Sequence, residues 1–362
     1  MRGIADTVGD ACDAAASLAP EDTAAGAAPE ADLCAAASHD PDRAQAGAAA
    51  DVMHRSNTYG MTRALIMPNF LPEVAAEVAA RGLTVVILAT PVDAATWAEQ
   101  LANELHDKHI GPTDVVIALP SWIDVALACL GIAVPPPPDY PDCAAHLLQR
   151  KVWKSTLGEL HTSLATGKLR QVFLKPAAGA KSFSGFVATG PRDEMLELLL
   201  DKAVFPALGP ATPIHCGEVV EMNAEYAVFV VDGSVRSTVH YACKRSTCRC
   251  ADGDLAMAGR PPLCFDSAVV DELVTLVGSS AETQALTGFR ADFALVRRVN
   301  STVDDGAASV GGGGGADDAE WVTALVEVND GYVAGRYDGV SVTDYTDMIL
   351  SRFACLQKAA RA

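Results

Sequence analysis

From Thr62 the chain settles into one repeated pattern, a short apolar run followed by a helix-length segment and another apolar run. Arg63–Met67, Leu83–Leu88 and Asp114–Leu119 read as strands. Pro72–Arg81, Ala94–Lys108 and Ile123–Leu130 read as helices, the last with Ser121 at its N-cap. A strand that is followed by a helix must cross the sheet and return parallel, so this portion is expected to be a parallel sheet with helices on its faces. The run Pro135–Pro138 cannot continue a helix and marks a boundary or an extended crossing.

Beyond that boundary the pattern turns β-rich. A helical stretch is expected around Leu147–Leu164. Strands are expected at Val172–Lys175, Gly185–Ala188, Gly217–Met222, Ala227–Val231, Ser234–Tyr241, Ala291–Arg297 and Trp321–Val328. Asp232-Gly233 is a hairpin-turn signal between two of these. The segment Asn300–Asp318 contains Gly311–Gly315 but no helix start after them, which suits a flexible surface insertion better than a phosphate loop. Residues 1–56 are rich in Ala, Asp, Glu, Pro and Gly and carry no aromatic residue, so they are expected to stay disordered. They lack the continuous apolar core of a secretory signal; organellar targeting stays open as the alternative to a cytoplasmic setting, with their acidic residues counting against a transit peptide.

Composition narrows the function classes. The formal net charge is −19, which opposes a nucleic-acid-binding surface because phosphate contacts need a positive field. Half of the residues are hydrophobic, enough for a sizeable core, but the apolar stretches fall short of a bilayer span. The ten cysteines are scattered, and a reducing, cytoplasmic setting is the simpler reading. The tightest group, Cys243, Cys248 and Cys250, has no second paired half and is a weak zinc signal.

Four local patterns carry chemistry. In Phe173–Gly185 a lysine ends a strand and a second, Lys181, follows within a loop of small residues, where backbone N–H groups and ammonium charge can meet phosphate. In Glu218–Tyr226 three carboxylates, Glu218, Glu221 and Glu225, punctuate an apolar run and offer acceptors for polar groups of a nucleoside. Arg290 and Asp292 are two residues apart, on one face of a strand. Glu327 and Asn329 likewise share a strand face, with Val326 and Val328 expected on the other. Asp292, Glu327 and Asn329 together would suit a hard cation such as magnesium. Read without these partners, the lysine loop is equally a hairpin with solvated lysines, the three glutamates are better read as an edge strand facing solvent, and Glu327 with Asn329 is a lone polar face capped by a turn. His161, His215 and His240 are isolated, which gives no nucleophilic triad.

Taken in this order, over roughly Arg63 to Phe353, the four patterns resemble the ATP-grasp superfamily, and specifically its R2K clade. Lys175-Pro176, Lys181–Gly185, Glu225-Tyr226 ahead of Val228–Val230, and Glu327–Gly331 followed by the helix Tyr345–Phe353 carry the resemblance. It implies a Rossmann-like lobe over 57–145 and a two-lobed α+β ATP-grasp domain over 146–362. It implies Mg-ATP as cofactor, with Lys175 at the α-phosphate and Lys181 at the β- and γ-phosphates. Glu218, with the backbone of Val219, Val220 and Glu221, would meet adenine, and Glu225 would hold ribose. Asp292, Glu327 and Asn329 would ligate magnesium, Arg290 would face the transferred phosphoryl group or the acceptor, and Lys244 would add a phosphate contact. The implied reaction activates a small-molecule or peptide carboxylate as an acylphosphate for an amine or similar nucleophile. A kinase on the same fold, or an inactive nucleotide-binding interaction module, would fit the same residues. The module reading draws on the long tail and on one departure: family members usually carry an arginine after Glu-Tyr, where this chain has Ala227.

Overall fold

The computed structural model describes residues 58–361 except 69, 92, 94–95, 178–181, 244–264 and 298–320. Lys181, Lys244, Cys248, Cys250, the tail over 1–56 and the glycine-rich segment over 300–318 therefore lie outside the described residues.

Three parallel strands form the first sheet, with β1 (Arg63–Ile66) between β2 (Thr84–Ile87) and β3 (Asp114–Ile117). Helices α1 (Pro72–Ala80) and α2 (Trp97–Asp107) supply the crossovers and, with α3 (Pro120–Cys129) after the last strand, bury Val74, Val78, Leu101, Leu105 and Ile123 against the sheet. Ser121 is not the cap of α3: the helix opens at Pro120 with extended Leu119 before it. Proline suits that first position because its missing N–H would have had no helical partner there.

The second sheet is antiparallel, in the order β4 (Val152–Thr156), β7 (Pro213–Gly217), β5 (Val172–Pro176), β6 (Phe186–Ala188). Helices α4 (Leu157–Ala165) and α5 (Glu194–Leu200) cover one face through Leu157, Leu160, Leu196 and Leu199. Two of its strands escaped the sequence reading. The expected helix over Leu147–Leu164 divides into a 3₁₀ turn (Asp142–Leu148), strand β4 and then α4. The break has a local cause. Thr156 accepts from the Glu159 amide while Glu159 reaches back to the Thr156 amide, so a capping box starts the helix there.

The third sheet runs β11 (Trp321–Asp330), β10 (Gly288–Arg297), β8 (Met222–Val231), β9 (Ser234–Cys243), all antiparallel. Helix α6 (Ser267–Ser279) and the 3₁₀ turn cover one face through Leu273, Val277 and Leu147. On the opposite face Ala227, Phe229 and Val231 share a core with α7 (Val342–Arg361) and with the parallel sheet's helices. Asp232 and Gly233 make the β8–β9 turn with φ of 49° and 72°, as a type I′ hairpin requires. Residues 218–221, expected within a strand, instead form the connection from the second sheet to the third. The Glu218 amide there donates to Lys151 O (2.9 Å), and its carboxylate accepts from the Lys151 amide (2.9 Å). Of the three punctuating carboxylates only Glu225 is on a strand.

Candidate functional site

The third sheet's site-bearing face is set by a break in strand register. Asp292 pairs with Glu327, but Phe293 pairs with Leu325, so Val326 is an extra residue on β11. A bulge lets two consecutive side chains reach the same side. Val326 packs with Val220, Met222 and Val322, and Glu327 next to it joins Asn329, Arg290 and Asp292. The expectation that Val326 would share Val328's face fails for this reason, since Val328 packs on the α6 side. The Arg150 guanidinium holds the bulge, donating to the carbonyls of Leu325 (3.0 Å) and Val326 (2.9 Å).

Five of the sequence-derived residues converge. Asp292 Oδ2 accepts from Arg290 Nη2 (2.8 Å) and Asn329 Nδ2 (3.0 Å), and the same amide nitrogen donates to Glu327 Oε1 (3.0 Å). Lys175 reaches this group from the second sheet, its Nζ donating to Glu327 Oε2 at 2.6 Å. Asp292 Oδ1 and Arg290 Nε are buried without a hydrogen-bond partner. A buried oxygen left in that state costs roughly 1–3 kcal/mol, so the arrangement fits a ligand that would satisfy it. The donor atoms are carboxylate and amide oxygens, which suit a hard divalent cation. Among the described residues no group of three His, Cys, Asp or Glu is placed to hold a metal, so phosphate oxygens would have to complete the shell.

Burial first, and then the charges of Glu327 and Glu225, push the Asp292 carboxyl up to about 6, with Arg290 offsetting only part of the rise. The Lys175 pKa is raised as well, but for a different reason: burial opposes its charge, and Glu327 and Asp139 outweigh that burial. Glu327 is held below its usual value, because Lys175 and the Asn329 amide overcome the effect of burial. For Asp292 the folded-state value exceeds the unfolded one, so its contribution to stability is complete below about pH 4 and is lost as pH rises through about 6. Without a divalent cation, the wild-type fold should lose about 2–3 kcal/mol more than an Asp292→Asn variant over that interval. Urea denaturation of both proteins at stepped pH measures the difference, and parallel curves would contradict it.

The other anticipated residues are placed differently. Glu218, Val219 and Val220 line a cleft of about 960 Å³ with Lys151, Trp153 and Lys168, between the second and third sheets. Glu221 faces Arg297, with its carboxylate 3.2 Å from the guanidinium. Glu225 accepts from Tyr241 Oη (3.0 Å), and Tyr241 stacks on Tyr337 at 4.4 Å, which in turn covers Arg290 at 5.0 Å. Ala227 is opposite Asp292 across β8 and β10 and is fully buried. Arg290 is therefore the cation that pairs with Asp292 in this structure.

Sequence reasoning missed Asp139, Tyr140, His215 and Arg150. Asp139 Oδ1 accepts from Lys175 Nζ at 2.6 Å, His215 Nε2 lies 3.4 Å from Asp139 Oδ2, and the Tyr140 ring lies 4.6 Å from the same ammonium. Asp139-Tyr140 directly follows the proline run, where a chain crossing between units was already legible. His215 becomes visible only through the register that sets it beside Lys175 and Lys154.

Several solved structures are similar in outline. The RimK-domain ATP-grasp protein from Sphaerobacter thermophilus shares 11% identity over 80% of this chain and 99% of its own, with a TM-score of 0.41. The ADP complex of N5-carboxyaminoimidazole ribonucleotide synthetase shares 12% over 81% and 77%, with a TM-score of 0.46. D-alanine–D-alanine ligase from Bacillus anthracis, complexed with ATP, shares 12% over 83% and 99%, with a TM-score of 0.40. Comparison with curated proteins finds no match. Residues 147–348, more than half of the chain, match the ATP-grasp domain, R2K clade family 2. This protein belongs to the R2K clade of the ATP-grasp family.

Proposed function

We propose that the protein is a magnesium- and ATP-dependent ligase that activates a carboxylate as an acylphosphate and passes the acyl group to an amine or similar nucleophile. The observation that carries this reading is the meeting of Lys175 with Asp292, Glu327 and Asn329, brought from two different sheets to one point beside Arg290. ATP is the nucleotide that the family name implies. Its adenine would occupy the cleft beside Glu218, Val219 and Val220, and Lys175 would turn from Glu327 toward phosphate oxygens. Glu225 is proposed for ribose, and Lys181 and Lys244 for further phosphate contacts. Asp292, Glu327 and Asn329 would hold magnesium, which when bound neutralises phosphate charge and orients the terminal phosphoryl group.

The chain's own task is placement and charge compensation, since phosphoryl transfer asks little covalent chemistry of the protein. Arg290 serves the transferred phosphoryl group or the acceptor carboxylate. Its buried Nε has no partner and its guanidinium is fixed by Asp292, so a donor is aimed without cost at the moment of reaction. The expected product set is ADP, phosphate and an amide or related bond. Screening amino acids and short peptides, singly and in pairs, for stimulated ADP release tests this. A stable phosphoester in place of the ligated product would replace the ligase reading with a kinase. Absence of magnesium-dependent ATP binding in calorimetry would remove both.

A further inference from the structure

We propose that Asp139 is a positioning residue for nucleotide binding, holding the Lys175 ammonium in the cleft so that Glu327 is free to exchange that ammonium for the metal. The inference rests on the ATP-site reading above and names a residue outside the four motifs. Lys175 is gripped at 2.6 Å by two carboxylates, Asp139 and Glu327, although one ammonium neutralises only one of them. The two are not equivalent. Glu327 has its other oxygen on Asn329, inside the candidate cation site, and must release Lys175 to serve a metal. Asp139 is fixed from several sides: its second oxygen faces His215 Nε2 at 3.4 Å, and its carbonyl accepts from the Val328 amide at 2.8 Å, one residue from Glu327. Its φ of 22° is unusual for a residue with a side chain, and that conformation persists only where surroundings enforce it. Tyr140 adds a ring face to the same ammonium at 4.6 Å.

The arrangement assigns distinct roles to the pair. When a cation takes Glu327, Asp139 keeps one hydrogen bond to Lys175, and the remaining N–H groups of the ammonium point to phosphate. Without Asp139, Lys175 has Glu327 as its remaining carboxylate partner, and the ammonium competes with the metal for it. Removing Asp139's charge should therefore weaken binding of a phosphorylated nucleotide, although a purely global electrostatic effect would strengthen it.

Calorimetry on the full chain decides the matter, with Mg-bound ATP as the charged probe and adenosine as the neutral one. Asp139→Asn keeps the size of the side chain, and asparagine tolerates positive φ. It should weaken Mg-ATP binding about tenfold, a loss typical of one charge-assisted hydrogen bond, and leave adenosine binding within about twofold. In a Lys175→Met background the same substitution should have little further effect, and Asp139→Glu should recover part of the loss. The proposal fails if Asp139→Asn leaves Mg-ATP affinity unchanged or raises it. It also fails if adenosine binding falls equally, or if the two substitutions act independently. A wild-type chain that binds neither probe overturns this inference together with the ATP-site reading, whereas wild-type binding lost in Lys175→Met but not in Asp139→Asn overturns this inference alone.

Discussion

Glu327→Ala should lower ATP turnover by about 100- to 1,000-fold while the protein remains folded. Glu327 is the residue at which the two halves of the candidate site touch. One of its oxygens holds Lys175 and the other accepts from Asn329, and its place on the cleft side depends on the bulge at Val326. Removing the carboxylate deletes one of two anionic donors from the candidate cation site, and Asp292 is left with Asn329 and Arg290. Folding should survive because Lys175 keeps Asp139 at 2.6 Å and the apolar contacts of Val326 and Val328 are untouched. The assay is ADP formation with a substrate found in the screen, alongside nucleotide binding with and without magnesium. Magnesium dependence should weaken more than binding itself. Turnover within tenfold of wild type, with the fold intact, would remove Glu327 from the cation site and leave it only as a partner of Lys175.

The parts of this site that could be read from sequence were those carried by strand alternation. Arg290 with Asp292, and Glu327 with Asn329, are spaced by two, and alternation alone puts each pair on one face. The parallel lobe was legible for a similar reason, since strands buried on both faces write continuous apolar runs such as Val115–Ile117. What stayed hidden depends on contacts between distant segments. The bulge at Val326 reverses the phase of β11, and it is held by Arg150, whose partners are backbone carbonyls that leave no trace in side-chain pattern. Strand β4 was absorbed into a helix because Leu148 and Val152, and then Trp153, Leu157, Leu160 and Leu164, recur at intervals of three and four residues. Asp139 and His215 acquire meaning only when Lys175 arrives from a third segment. Among the described residues no helix is long and apolar enough to cross a membrane.

Arg352→Ala should destabilise the fold by about 3–5 kcal/mol, a large fraction of the margin available to a globular protein. Asp330 follows the candidate ligand Asn329 but serves another purpose. Both its oxygens accept from Arg352, Nε to Oδ1 and Nη2 to Oδ2, each at 2.7 Å, and both side chains are almost wholly buried. Removing the guanidinium would leave the buried Asp330 carboxylate without its cation and take one of two donors from the Ala285 carbonyl, which Arg352 Nη1 reaches at 2.7 Å and the Thr287 amide at 3.0 Å. The same junction tolerates no added volume. A Cβ on Gly288 would stand 2.1 Å from the Met348 carbonyl oxygen and 3.3 Å from Arg352 Cβ, and one on Gly331 would stand 2.4 Å from the Gly288 oxygen. Helix α7 thus rests directly on the ends of β10 and β11, and Gly288→Ala should push it off by an overpacking cost of about 3 kcal/mol. Because the two substitutions meet at Arg352, their effects should combine to less than their sum: once one has loosened α7, the other has less contact to lose. Urea denaturation of both single variants and the double variant measures this. If either single loss is below about 1 kcal/mol, the junction is not the structural anchor of the Asn329-bearing strand, and the candidate cation site must be held by the sheet alone.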